Sequence, residues 1–421
     1  MGRAFRPRRR KLGRHRPRRP YHPGLIAMRI EADIPFAEVA VAAGTRTLMM
    51  DAYLPEGPGP HPALVLAFGG AYHRGSRKDD VFAGARGSNT AMAEYARRFA
   101  ARGYACFSID YRLAADDAPA GPTPVLTVPG EIGVQRMDVV RQMLGMPPAS
   151  HADHMRIIEG AIDDMAAAGR FVARQAARFG IDPDRIVLGG WSAGARAALY
   201  AALAEGVPCA GVIALSARME SGDLAAHLPR LACPPPVLLI TAQDDLGTLP
   251  AETPGMAAAL RHHGGEALHV TIPGWDHWYP AEAVTDAGTS VEATMAEALE
   301  RWTRSGEALL EDFAAAYNRH DIEALLGMVT EDCVFETAFG TRHQGKAELR
   351  EALPGAWRQW PDARWDGAQH VVNGDRGFSE WVLRGTDAAG TRTELRGVDL
   401  FRLRHGLIAR KDTFRKPYAV P

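Results

Sequence analysis

Short apolar runs alternate with longer segments of helical periodicity between about residue 35 and residue 304. Runs such as 63–68 and 104–110 are almost entirely apolar, which is typical of strands buried on both faces of a sheet. The same reasoning predicts further strands at 36–41, 48–54, 186–188, 208–215, 236–241 and 268–272, and helices at 90–102, 157–179, 193–204 and 289–303. Strands that alternate with helices predict an α/β fold with a doubly wound, mostly parallel sheet.

Residues 113–156 interrupt this alternation. They contain six prolines and show no clear helical or strand period. A long irregular segment inside a compact domain is usually functional. We therefore predict that residues 113–156 form a cap, or lid, over the active site.

The order of the elements changes after Ser305-Gly306. Helices are predicted at 307–330 and 346–357, and four strands follow them near 365–373, 377–385, 391–404 and 407–414. Helices followed by a meander are typical of an α+β unit. The sequence therefore predicts an α/β domain at 28–304 and a smaller α+β domain at 305–421.

Positive charge is concentrated at the start of the chain. Residues 1–20 contain nine Arg and one Lys without any acidic residue, so that, with a formal net charge of −1 for the whole chain, residues 21–421 carry −11. We expect residues 1–27 to be a disordered or untranslated tail, whose deletion leaves the activity unchanged. The acidic remainder argues against nucleic acid as a partner.

The sequence argues against a membrane protein and against a metal-binding protein. No apolar run reaches the ~18 residues that a membrane helix needs, so no membrane partner is predicted. The apolar stretch after the basic tail is too short for a signal peptide, which favours a cytoplasmic protein. Four scattered cysteines and the isolated pair His151 and His154 do not make a metal-ligand set, so no metal site is predicted.

The segment Gly190-Trp191-Ser192-Ala193-Gly194 matches the pattern G-x-S-x-G between a predicted strand and a predicted helix. That context is required of a nucleophile elbow, a sharp turn that exposes the serine hydroxyl. Small residues flank such a serine because the strand and the helix pass within contact distance. The motif predicts Ser192 as a catalytic nucleophile.

A serine nucleophile needs a base, and the base needs an acid that orients it. His277 follows the predicted strand 268–272 at the carboxyl edge of the sheet, where ligands bind in open α/β folds, and it is the predicted base. The acid is expected after the strand 236–241, where Asp244 and Asp245 are both candidates. In similar hydrolases, the strand is often followed by a small residue, two variable residues and then the acid. With Ala242 as the small residue, this spacing favours Asp245.

An oxyanion intermediate needs two or more preorganised N–H donors. One predicted donor is the amide of Ala193, the residue after the nucleophile. The other is expected in the loop after the strand 63–68, from Gly70 or Ala71.

Four of these segments together resemble the α/β-hydrolase superfamily, in its hormone-sensitive-lipase and carboxylesterase-like branch. The matching text lies at 68–76, 108–113, 180–185 and 190–194. The resemblance implies hydrolysis of a small-molecule carboxylic ester through an acyl-enzyme, without a cofactor. Phe68 and Ala71 replace the His and the third Gly of the family's oxyanion motif, and neither change removes a backbone donor.

The C-terminal domain resembles the cone-shaped NTF2-like superfamily, in its SnoaL-like and ketosteroid-isomerase-like branch. The matching text lies at 313–325, 331–335, 345–349 and 397–411. Asp399 matches an acid of that family, and Trp381 is a candidate for lining the pocket. Thr337 and Phe313 stand where the isomerases have a catalytic Asp and a Tyr, which argues against isomerase chemistry.

Several functions remain open at the level of sequence. The preferred one is a serine esterase that uses Ser192, His277 and Asp245, and an amidase or lactonase would use the same residues. An isomerase or cyclase with Asp399 as its acid–base group would belong to the C-terminal domain. We expect instead that this domain joins two chains into a homodimer.

Overall fold

The structure, a computed structural model, describes residues 26–386 and 389–417. Most of the predicted basic tail, residues 1–25, lies outside the described residues. The described residues form two β-sheets, with one cluster of buried hydrophobic side chains on the first sheet and two clusters on the second. No helix within the described ranges is long and apolar enough to cross a membrane.

The first sheet has eight strands in the order β1-β2-β4-β3-β5-β6-β7-β8. The strands are β1 Met28–Val41, β2 Gly44–Pro55, β3 His61–Ala67, β4 Ala105–Ile109, β5 Ile181–Trp191, β6 Gly211–Leu215, β7 Val237–Asp244 and β8 Ala267–Asp276. β1 and β2 pair antiparallel, as do β2 and β4, and all other neighbours are parallel. The predicted α/β class with a mostly parallel sheet is confirmed.

Helices connect the parallel strands of this sheet. They are α1 Met92–Ala100, α2 Gln135–Met143, α3 His151–Arg174, α4 Ala176–Phe179, α5 Ala193–Leu203, α6 Ser221–His227, α7 Leu249–His262 and α8 Val291–Trp302. Strands β3 to β7 are buried along most of their length, as expected of strands covered on both faces. Their carboxyl ends therefore share one edge of the sheet.

The predicted cap is more regular than its sequence indicates. Residues 113–156 contain α2 and the start of α3, which begins at His151 and not at residue 157. Ser150 caps α3, because its side chain accepts from the backbone N–H of Asp153 at 3.1 Å and the Asp153 carboxylate accepts from the backbone N–H of Ser150 at 3.0 Å. This capping box starts the helix before its apolar periodicity becomes visible.

The C-terminal part forms a second sheet with helices against it. Its strands run in the order β10-β9-β14-β13-β12-β11, with β9 Val329–Glu336, β10 Arg342–Gln344, β11 Arg364–Asn373, β12 Arg376–Thr386, β13 Arg392–Arg404 and β14 Leu407–Pro417. The helices are α9 Gly306–Asn318, α10 Ile322–Gly327 and α11 Gly345–Gln359. The predicted separate α+β domain is confirmed as a fold class.

The single helix predicted at 307–330 is wrong. His320 has a positive φ of 54°, which ends α9, and Asp321 caps α10 by accepting from Ala324 N at 3.0 Å. The chain then enters β9, which pairs in parallel with β14. Its other neighbour, β10, is only three residues long, and β14 lies more than 70 residues away, so that local periodicity does not reveal β9.

Candidate active site

The G-x-S-x-G segment forms a tight turn between β5 and α5. Ser192 stands at this turn with φ 56° and ψ −118°, a backbone conformation that is strained for a residue with a side chain. A Cβ atom at either Gly190 or Gly194 would overlap the carbonyl oxygen of Ala67 in the neighbouring strand β3. Both glycines are therefore required by the close approach of strand and helix.

Three side chains from separate loops form a hydrogen-bonded chain at the carboxyl edge of the first sheet. The Ser192 hydroxyl lies 2.9 Å from His277 Nε2, and His277 Nδ1 lies 2.5 Å from Asp245 Oδ1. His277 directly follows β8, and Asp245 directly follows β7. With an ionised Asp245, Nδ1 carries the proton and Nε2 is free to accept from Ser192.

Asp244 and Asp245 have opposite environments. The Asp244 side chain is 51% exposed and forms a 2.5 Å ion pair with Arg86, whereas the Asp245 side chain is fully buried. Burial raises the pKa of Asp245, but hydrogen bonds to His277, Ser216 and the Leu246 amide outweigh it and lower the pKa below its usual value. The structure thus brings Asp245 and not Asp244 to His277.

Sequence reasoning missed the groups that hold Asp245 in place. Ser216 Oγ donates to Asp245 Oδ2 at 2.5 Å and lies 3.0 Å from the Tyr279 hydroxyl oxygen. The amides of Ala242 and Leu246 also donate to this carboxylate, at 3.0 and 2.8 Å. Ser216 directly follows β6. Its position at the carboxyl end of a parallel strand is the sequence feature that could have identified it as a site residue.

The predicted oxyanion loop lies beside the nucleophile. Ala71 and Ala193 line the same cavity as Ser192 and His277. Gly70 has φ 119°, and a Cβ atom there would overlap the carbonyl oxygen of Arg74, so the loop closes tightly only with glycine.

Phe68 occupies the position at which the carboxylesterase-like branch has a histidine, and its contacts hold the start of this loop in place. Its carbonyl accepts from the Tyr111 hydroxyl at 2.9 Å, and the two rings stack at 4.3 Å between centroids. The phenylalanine therefore still supports the backbone of the loop. It removes neither the Gly70 nor the Ala71 amide, which are the proposed oxyanion donors.

The cavity around Ser192 has a volume of about 760 Å³, which lies within the range of small-molecule sites. Residues of the predicted cap, among them Arg136 and Val139 of α2, form part of its wall. His277, on the wall of the cavity, packs against two tryptophan rings, Trp191 at 5.0 Å and Trp278 at 5.2 Å between centroids.

The candidate residues of the second domain line a much smaller cavity of about 30 Å³. Asp399 and Trp381 both lie on its wall, together with Phe313, whereas Thr337 does not line it. Asp399 Oδ1 accepts from Lys411 Nζ at 2.8 Å and from Thr413 Oγ1 at 2.7 Å. This volume holds about one water molecule and no organic ligand.

The histidine pair of the cap is engaged in local contacts. His154 is buried, with Nε2 2.7 Å from Asp138 Oδ1, and His151 Nε2 lies 3.3 Å from the carbonyl oxygen of Ile132. Within residues 26–386 and 389–417, no group of three or more His, Cys, Asp or Glu side chains could hold a metal ion.

Two family models match separate parts of the chain. Residues 152–212 match the BD-FAE family, and residues 310–411 match the SnoaL-like domain. The first range contains α3, β5 and the Ser192 turn, and the second contains most of the C-terminal sheet. The resemblances predicted from the sequence for the two parts are confirmed. None of the curated proteins compared with the chain matches it.

Solved structures resemble the two parts separately. An esterase from Pyrobaculum calidifontis is 19% identical over 59% of this chain and 77% of its own, with a TM-score of 0.38. A putative polyketide cyclase from Pseudomonas putida is 24% identical over 27% of this chain and 91% of its own, with a TM-score of 0.25. A putative polyketide cyclase from Xanthomonas campestris is 25% identical over 27% of this chain and 88% of its own, also at 0.25.

Proposed function

We propose that this protein is a serine hydrolase of carboxylic esters. The observation that carries the proposal is the hydrogen-bonded chain from Asp245 through His277 to Ser192, in which the serine stands at a strained turn at the edge of a parallel sheet. Such an arrangement activates a serine for acyl transfer. The match to the BD-FAE family over residues 152–212 supports the same class.

The proposed reaction has two steps. Ser192 Oγ attacks the ester carbonyl carbon while His277 Nε2 takes its proton, and the oxyanion accepts hydrogen bonds from Ala193 and from Gly70 or Ala71. His277 then returns the proton to the departing alcohol, which leaves an acyl-serine. A water molecule, deprotonated by His277, attacks this ester and releases the acid and the free serine. The buried Asp245 holds the imidazole orientation throughout. Amides and lactones would react by the same steps.

The test is a comparison of two serine variants. Ser192→Ala is expected to lower kcat for p-nitrophenyl acetate by at least about 10³-fold and to abolish labelling by a fluorophosphonate, with the stability unchanged. Ser290→Ala removes the N-cap of α8, far along the chain, and is expected to lose about 1 kcal/mol of stability with full turnover. Retention of turnover and labelling in Ser192→Ala would refute the proposal.

We propose further that the C-terminal domain joins two chains. On β13, Asp399 and Phe401 are buried toward the helices, whereas Leu400 between them is about half exposed. Leu400 pairs across the sheet with Phe378, which pairs in turn with Val371, and Val371 and Phe414 are also about half exposed. An open sheet face of this kind favours an isologous contact with a second copy.

Sedimentation velocity of the full chain tests this second proposal. The wild type is expected to sediment as a dimer at micromolar concentration and Leu400→Lys as a monomer, with ester turnover within about twofold of the wild type. Val81→Lys places the same charge on an exposed residue of the first domain and is expected to leave the dimer intact. A monomeric wild type would contradict the proposal.

A further inference from the structure

Among the described residues, Arg136 on the cavity wall and Arg74, whose charge acts on Arg136, have no acidic partner. Arg136 of α2 lines the cavity that contains Ser192, and its guanidinium stacks over the Trp278 ring at 5.2 Å. Arg74, three residues after Ala71, stacks over Phe82 at 4.8 Å. Among the residues that the structure describes, neither guanidinium forms an ion pair, and Arg74 Nε is buried without a hydrogen bond.

The other arginines of the cavity differ in this respect. Arg196 and Arg218 both form ion pairs with the buried carboxylate of Glu220, and Arg218 also pairs with Glu252. The remaining acid on the cavity wall, Glu131, accepts from the amide of Gly222 at 3.0 Å. Arg196 and Arg218 are therefore compensated by carboxylates of the cavity wall, whereas Arg136 on the same wall has no carboxylate within ion-pair distance among the described residues.

The electrostatic environment of the Arg136 guanidinium is unfavourable. Burial and, after it, the positive charge of Arg74 lower the pKa of Arg136. A partly buried cation beside a like charge is stabilised by an anion that replaces the lost water. The cation also lies over the Trp278 ring, and the planar guanidinium is suited to bidentate binding of a carboxylate.

We propose that Arg136, with Arg74 beside it, binds a carboxylate on the alcohol half of the ester substrate. This inference rests on the proposed function. His277 must deliver its proton to the departing alcohol oxygen, so that the alcohol half lies on the His277 side of the ester. The Trp278 ring stands edge-on to His277, and Arg136 stacks on that ring. The unpaired guanidinium therefore faces the region of the departing group.

Three synthetic esters separate the possibilities. 4-Acetoxybenzoate carries a carboxylate on its alcohol half, 4-acetoxybenzamide is its neutral counterpart, and monophenyl succinate carries a carboxylate on its acyl half. Arg136→Gln is expected to lower kcat/KM for 4-acetoxybenzoate by about 10- to 100-fold, the range for a hydrogen bond between charged groups, and to change the other two by less than about threefold.

Arg178→Gln is the matched control. Arg178 is likewise stacked on an aromatic ring, Phe179 at 4.9 Å, but it does not line the cavity. Its removal changes the net charge by the same amount and is expected to leave all three kcat/KM values within about twofold.

A second measurement does not depend on turnover. 4-Hydroxybenzoate, the alcohol product, is expected to protect Ser192 from fluorophosphonate labelling in the wild type, with at least about tenfold weaker protection in Arg136→Gln. Equal losses on the neutral and the anionic ester, a loss confined to monophenyl succinate, or unchanged protection would each overturn the inference. A wild type that the fluorophosphonate does not label at Ser192 would instead contradict the proposed function.

Discussion

Asp244 and Asp245 are adjacent and chemically identical, yet only one of them reaches His277. Asp245 is fully buried and accepts hydrogen bonds from Ser216, Ala242 and Leu246, in addition to His277. Asp244 points to solvent and pairs with Arg86. The sequence left the choice between the two open because an error of one residue in the loop exchanges them, and the deciding contacts come from distant strands.

At the residue scale, this difference predicts separate effects of two matched substitutions. Asp245→Asn is expected to lower kcat for p-nitrophenyl acetate by about 10³- to 10⁴-fold, because the amide stabilises the wrong imidazole tautomer. Asp244→Asn removes only an exposed ion pair and is expected to change kcat by less than about threefold. Steady-state kinetics of both variants would check this, and a large loss in Asp244→Asn would assign the acid to that residue instead.

The nucleophile turn depends on two elements that approach each other closely. A Cβ atom at Gly194, in the first turn of α5, would overlap backbone atoms of Ala67 and Phe68. The motif could be recognised from the sequence because its requirement is local, namely a strand, a turn and a helix in succession. The start of α3 was missed although its capping box, Ser150 with Asp153, is also local, because only the apolar periodicity was followed there. The strand β9 was missed because its parallel partner β14 is distant in the sequence.

At the element scale, Gly194→Ala is expected to destabilise the protein by about 3 kcal/mol and to reduce ester turnover, because backbone atoms cannot move aside cheaply. Gly255→Ala lies within α7 with no atom near the added methyl group, and it is expected to stabilise by about 0.5–1 kcal/mol. Urea unfolding of both variants would measure this. Similar stabilities for the two would argue against the close contact.

An ion pair between Arg170 of α3 and Glu205, which follows α5, joins these two helices. Burial, followed by the nearby charge of Asp163, raises the pKa of Glu205 to about 7, although Arg170 Nη1 donates to this carboxylate at 3.0 Å. The folded state therefore retains a proton that the unfolded chain releases above about pH 4.5. This contribution is fully present below pH 4.5 and is lost as the pH rises through 7.

Glu205→Gln is thus expected to remove part of the pH dependence of stability. Between pH 5 and 7.5, the free energy of unfolding of the wild type should fall relative to the variant by about 3 kcal/mol at most. Chemical denaturation across this range would measure the difference. Glu300→Gln, which changes an exposed carboxylate on α8, is the control. A stability difference between the wild type and Glu205→Gln that does not vary with pH would show that the proton is absent.

At the scale of the whole molecule, the described residues contain one cluster of buried hydrophobic side chains in the first domain and two in the C-terminal domain. The first-domain cluster extends from β1 to Trp302 of α8, and the larger C-terminal cluster begins at Leu309 of α9 and includes Phe401. Between them, Ser305 caps α9 by accepting from Ala308 N at 3.2 Å. The change of periodicity near this point was visible in the sequence because each core imposes its own pattern on the strands that cover it.

Separate cores predict separate unfolding transitions. Phe401→Ala is expected to destabilise one transition by about 3–5 kcal/mol and to leave ester turnover at low denaturant within about twofold. Leu66→Ala, in the centre of the first sheet, should shift the other transition and the loss of turnover together. Calorimetry and turnover measured along one denaturation series would check both. A single transition that both variants shift equally would contradict this.

The sequence by itself determined the features that depend on neighbouring residues. The α/β pattern, the second α+β unit and the tight turn at Ser192 follow from periodicity and from glycines at fixed positions, and these are local properties. Only the tertiary structure decided which aspartate meets His277, that Ser216 supports it, and that Arg196 pairs with Glu220 while Arg136 forms no ion pair with any residue that the structure describes. Those outcomes depend on side chains that are distant in the sequence and become neighbours only when the strands align.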